Sequence, residues 1–200
     1  MNNPLFTSGQ DWRSNACISR SHVPMRLYIL GYKKAADLLA QQVVETAHDQ
    51  DILVYPIAFL YRQYIELQLK EVIKESRILL SEGSGFPEHH KIHHLWDLAS
   101  GLMRKIAEKI DPSVDDYIKS DDVDLIGTVI ACFTDVDPES MAFRYPTSKF
   151  GKSSLGEITL INIRNLAERI SSLSDGLDKF DLVVSVLRQQ QDEMRQMFQP

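Results

Sequence analysis

The stretch Asp51–Leu80, DILVYPIAFLYRQYIELQLKEVIKESRILL, decides the fold. Leu53, Ile57, Leu60, Tyr64 and Leu67 recur at steps of three and four, and Val54, Ala58, Ile65, Leu69 and Val72 form a second stripe at the same period. A helix that is apolar on two sides has to be covered on two sides, so this spacing predicts a long helix at the centre of a bundle. The same stretch carries Arg62, Glu66 and Lys70 at four-residue spacing. Helical-wheel angles set Arg62 and Glu66 among Tyr55, Ala58, Phe59, Leu69 and Ile73. Charges on an apolar face are expensive to desolvate unless paired and hydrogen-bonded, so they read either as an ion pair fixing the bundle register or as a ligand or catalytic group.

Working outward, Tyr32, Ala35, Ala36, Leu39, Val43, Val44 and Ala47 predict a preceding helix. Beyond the turn-forming Gly83-Ser84-Gly85-Phe86-Pro87, Leu95, Leu98, Leu102, Met103, Ile106 and Ile110 predict a third, stopped at Asp111-Pro112. A fourth is expected from about Asp121 to Val136, with Asp121, Asp122 and Asp124 at the positive end of its dipole and Asp137-Pro138 as its stop. Ile163, Leu166, Ile170, Leu173, Leu177, Phe180, Val184 and Leu187 make a heptad seam that Met194 and Phe198 extend. Asp175-Gly176 is expected to break or kink it. The seam could face this chain's own core or a second protomer. No strand alternation or hairpin signal appears. The expectation is an all-α antiparallel helical bundle with a long C-terminal helix or helix pair, residues 31–200 forming one domain behind an irregular arm at 1–30.

Composition narrows the function classes. Of 200 residues, 44% are hydrophobic and 25% charged, enough for an ordinary core without metals or disulfides. A net charge of −6 is the wrong sign for a protein gripping a phosphate backbone, so double-stranded DNA is a poor partner. The two cysteines, Cys17 and Cys132, lack CxxC spacing and read as reduced thiols. Neither a signal-peptide run nor eighteen consecutive apolar residues occurs, so a cytoplasmic protein off the membrane is expected.

Two further clusters could carry chemistry. Glu88-His89-His90-Lys91-Ile92-His93-His94 holds four of the six histidines. On a helix, His89 with His93 and His90 with His94 would each set two imidazoles on one side, though no third and fourth metal ligand accompanies them, and no metal or cofactor is expected. General acid/base work or a solvated helix entrance are the other readings. In the long loop Pro138–Gly156, Phe143-Arg144-Tyr145-Pro146 sets a guanidinium beside an aromatic ring, where Arg144 could pair with Glu66 or bind a phosphate. Nucleophile elbow, P-loop, dinucleotide fingerprint and HExxH are all absent.

The run Tyr55–Lys70, then His93-His94-Leu95-Trp96, then Phe143-Arg144-Tyr145-Pro146 resembles the HEPN superfamily, notably small bacterial HEPN-like proteins, over about half the chain by motif order. The resemblance implies a dimeric helical bundle in a superfamily that includes ribonuclease toxins and phage-defence proteins. Its ribonucleases carry an Arg followed by four to six residues and a His. Here no arginine has a histidine at that spacing: Arg62 stands at the position of the motif Arg, but Glu66, Leu67, Leu69 and Lys70 follow it.

The leading expectation is therefore a homodimeric HEPN-like binding module in a bacterial defence or toxin-antitoxin-like setting, with Glu66, Lys70, Arg144 and Tyr145 as binding residues. RNA, a nucleotide or a protein is the expected partner. One alternative is a metal-independent endoribonuclease using Arg62, His93 and His94 as a non-standard catalytic set. Another is a purely structural assembly protein. The enzyme requires Arg62, the histidines and Arg144 to meet in an open cleft, whereas the others allow Arg62 and Glu66 to be sealed inside.

Overall fold

The computed structural model describes residues 5–18, 24–156 and 158–197. Six α-helices follow in chain order: α1 (Pro24–Thr46), α2 (Gln50–Leu79), α3 (Ile92–Lys109), α4 (Val114–Tyr117), α5 (Ser120–Val136) and α6 (Ile163–Met197). A single 3-10 turn, Trp12–Ser14, precedes them. Among the described residues the only strand-like feature is one antiparallel bridge, Thr147 to Ser153.

The two-striped helix occupies the place its sequence assigns it. Ile57, Ile65, Leu69 and Ile73 are buried, and α2 packs against α1, α3 and α6. Each such side chain withdrawn from water contributes about 1.5–3 kcal/mol, so α2 supplies the largest share of the core. Two hydroxyls fix its rotation: Tyr61 donates to Asp37 of α1 at 2.9 Å, and Tyr64 donates to Ser174 of α6 at 2.8 Å. Ala47 and Asp49, both left-handed, turn the chain back between α1 and α2.

Two expectations need correction. The first helix starts at Pro24, so the end of the expected 1–30 arm is helical; Ile29 is buried, an anchor its irregular surroundings concealed. The four-residue α4 is too short to leave a periodic signal in the sequence. At the other end α6 runs unbroken through Asp175-Gly176. Gly176 is a point of close approach: a Cβ there would lie 2.9 Å from Cδ1 of Ile126 on α5. Its absent side chain lets two helices meet, and their contact compensates for the glycine's low helix propensity.

The heptad seam packs within the chain. Ile170, Leu173, Leu177, Phe180 and Val184 are buried against the other helices, while Met194, further along the phase, is exposed. Phe198 lies outside the described residues. No helix among the described residues is long and apolar enough to cross a membrane.

Candidate functional site: a buried charge network joining α2, α3 and α5

Arg62, midway along α2, is the largest fully buried side chain, at 0% exposure. Its guanidinium donates from Nε to the backbone carbonyl of Asp137 at 3.1 Å, from Nη1 to Glu66 Oε2 at 3.4 Å, and from Nη2 to the carbonyl of His90 at 2.9 Å. One side chain thus ties the central helix to the end of α5 and to the turn that enters α3. A planar cation with several fixed donors suits this three-way role; a lysine could not span it.

Glu66, one turn on, is 1% exposed. Its Oε1 accepts from Lys70 Nζ at 2.9 Å and from His90 Nδ1 at 2.8 Å. Because an ionised carboxylate can only accept, Nδ1 is the protonated nitrogen of the His90 ring. That ring is itself 65% exposed, so it forms a polar cap over a buried acid. Lys70 also lies 5.6 Å from the ring centroid of Phe86.

Asp137 closes the network. Its Oδ1 accepts from the backbone amides of Met141 at 2.6 Å and Ala142 at 2.9 Å, and its Oδ2 stands 3.6 Å from Arg62 Nε with no hydrogen bond of its own among the described residues. Two cations, Arg62 and Lys70, face two carboxylates, Glu66 and Asp137, so the buried charge balances among these four side chains. Burial drags the Arg62 guanidinium below its ordinary value, opposed by the charges of Asp137 and Glu66. Burial would also raise Glu66, but the hydrogen bonds from Lys70 and His90 outweigh it and hold the carboxyl below the usual range.

The other candidates lie elsewhere. His89 and His90 precede α3, so the helical i,i+4 pairing expected of the four histidines does not form. His94 instead lies tilted against His93, ring centroids 4.0 Å apart, and meets His89 edge-on at 5.7 Å. Neither His93 nor His94 is hydrogen-bonded to Arg62 or Glu66, and the Nδ1 of His93 is buried without a partner among the described residues. Among the described residues no three His, Cys, Asp or Glu side chains are arranged to hold a metal. Arg144 does not reach Glu66. It sits 5.6 Å from the ring centroids of both Phe59 and Tyr145, with Nη2 2.7 Å from Met141 Sδ. Arg144 and Tyr145 are exposed.

Of the residues singled out from sequence, the structure unites Arg62, Glu66 and Lys70, and leaves His93, His94, Arg144 and Tyr145 outside their hydrogen bonds. It adds His90 and Asp137. His90 was one of four equivalent-looking imidazoles. Asp137 was read only as a helix stop, although an acid at a helix end followed by a short polar turn is a typical acceptor for that turn's amides.

Comparison with protein-family models, curated proteins and solved structures finds no match.

Proposed function

We propose that this chain is a non-catalytic, HEPN-like helical module that works as a homodimer and binds a partner, in a bacterial defence or toxin-antitoxin-like setting. The observation that carries the non-catalytic part is the sealing of Arg62: the guanidinium has no solvent-facing edge, and its bonds go to two backbone carbonyls and a carboxylate. A cation that stabilises a phosphorane must have an open face for the phosphate. Glu66 is sealed with it, which is what a bundle-fixing pair requires and what an open catalytic cleft does not.

Support for the dimer comes from the outer face of α1, where Leu27, Leu30 and Leu38 stand exposed at helical spacing. Apolar side chains in such a row are better covered than wetted. The seam of α6 no longer supports the dimer between Ile163 and Leu187, because those residues are used inside the chain.

The endoribonuclease alternative draws on one observation, the clustered rings of His89, His93 and His94, with exposed Arg144 replacing sealed Arg62 as the cation. Incubating the purified chain with mixed single-stranded RNA and tRNA, with and without EDTA, separates the readings. The binding module leaves the RNA intact, and sedimentation gives a mass of two chains. EDTA-resistant cleavage that disappears in His93→Ala and His94→Ala, both folded, would put the ribonuclease first.

A further inference from the structure

Helices α2, α5 and α6, with the segment 158–162, border a groove of about 440 Å³ that shares no lining residue with the Arg62 network. Its volume falls within the ~300–1,000 Å³ of small-molecule sites. The groove reaches down to the core: Ala58 of α2, Val129 and Phe133 of α5, and Phe143 of the following loop all line it, and all are buried. Water gains little in such a hollow, because these walls offer it no hydrogen-bond partner. An aliphatic chain laid along them would lose its own contact with water and fill the space.

The polar part of the lining is one edge, the start of α6. Asn162, Asn165 and Arg169 follow one another at steps of three and four, so they share one face of that helix. Asn162 Oδ1 accepts the backbone N–H of Asn165 at 2.9 Å, which leaves the Asn162 amino group and the whole Asn165 side-chain amide without a partner among the described residues. Among those residues Arg169 is the one charged side chain that lines the groove; no acid does, and the guanidinium makes no ion pair or hydrogen bond. In a chain of net charge −6, an apolar trough is thus edged by hydrogen-bond donors and an uncompensated positive charge. That combination complements an amphiphile with a negative head.

We propose that the groove binds a straight-chain aliphatic carboxylate, its chain against Ala58, Val129, Phe133 and Phe143 and its head taken by Arg169 with the Asn165 amide. One guanidinium balances one negative charge and can hold a carboxylate through two parallel hydrogen bonds, whereas the dianion of a phosphate monoester would be left half compensated. A cationic amphiphile does not suit the groove, because Arg169 repels it and no acid in the lining receives it. A neutral alcohol of the same length fits the walls and leaves Arg169 unpaired. Cys132, exposed and part of the same lining, is a built-in reporter of occupancy.

The test is calorimetric titration of the full chain with octanoate, decanoate, dodecanoate and dodecanol, all below their micellar concentrations, in the wild type and Arg169→Gln. Dodecanoate should bind the wild type saturably, and affinity should rise about fourfold for each methylene added from octanoate upward. Dodecanol should bind about tenfold more weakly, as loss of a charge-assisted hydrogen bond requires. Arg169→Gln changes an exposed side chain and should fold normally; it should lower dodecanoate to the affinity of dodecanol and leave dodecanol unchanged. Alkylation of the wild type with iodoacetamide locates the ligand: dodecanoate should slow modification of Cys132 and not of Cys17, which is also exposed and lines a different groove. No saturable binding, dodecanol binding as tightly as dodecanoate, unchanged dodecanoate affinity in Arg169→Gln, or equal alkylation of Cys132 with and without dodecanoate would each overturn the site.

Discussion

His90, an exposed ring, holds Glu66, an almost fully buried carboxylate, through a 2.8 Å hydrogen bond from Nδ1 to Oε1. The same residue's backbone carbonyl is held from below by Arg62 at 2.9 Å. The turn into α3 is therefore clamped to α2 by both its backbone and its side chain.

The first consequence is a pH dependence. Glu66 is lowered from 4.5, with burial opposing and the hydrogen bonds of Lys70 and His90 prevailing. A group whose folded value is depressed contributes stability that is fully present above its unfolded value and is lost as pH falls through the folded one. Unfolding free energy of the wild type should therefore drop below pH 4.5. Glu66→Gln should flatten that part of the profile. An unchanged acid slope in Glu66→Gln would show that the carboxylate is not held by the network.

Lys70 and His90 both bond Glu66 Oε1, but Lys70 is buried and His90 is mostly exposed. Removing the buried partner strands a buried charge, which costs about 3–5 kcal/mol, whereas the exposed ring is replaceable by water. Lys70→Met should cost about 3 kcal/mol, and His90→Ala about 1 kcal/mol, in urea denaturation. The reverse order would contradict the assignment of Lys70 as the main counter-charge.

Asp137 organises the turn after α5 by accepting two successive amides. Asp137→Ala should raise the hydrogen-exchange rates of the Met141 and Ala142 amides by about tenfold or more, since each loses a bond to a charged acceptor. Unchanged protection would assign the turn's order to the burial of Ala142 and Phe143 instead.

Gly176 tests the packing of α5 on α6. Gly176→Ala gains about 1 kcal/mol of helix propensity but forces a Cβ into Ile126, where overpacking costs about 1–3 kcal/mol. The single substitution should be destabilising by about 1 kcal/mol. Combined with Ile126→Val, which deletes the clashing Cδ1, Gly176→Ala should become stabilising relative to Ile126→Val alone. Additive effects would show that the two residues do not meet.

How far these features were legible follows from their range. Two stripes at Leu53–Leu67 and Val54–Val72 placed α2 within one residue of its ends, because a 3.6-residue period is local. The embedding of Arg62 and Glu66 was readable for the same reason. Their partners were not: His90 and Asp137 lie 28 and 75 residues from Arg62, and no period links such positions. Gly176 misled the reading because a glycine looks alike in sequence whether it ends a helix or admits a neighbour. The pairing of the four histidines depends on all of them lying on a helix, and α3 begins only at Ile92, so sequence spacing alone could not place His89 and His90.

The most direct measurement is equilibrium urea unfolding of Arg62→Met beside the wild type, with His94→Ala as an exposed control. Methionine keeps the bulk and removes the charge, leaving Glu66 less compensated and the backbone carbonyls of Asp137 and His90 without their donor. A structural tie predicts a loss of about 3–5 kcal/mol in Arg62→Met and almost none in His94→Ala. Retention of wild-type stability by Arg62→Met would contradict the account and return Arg62 to the search for a functional role.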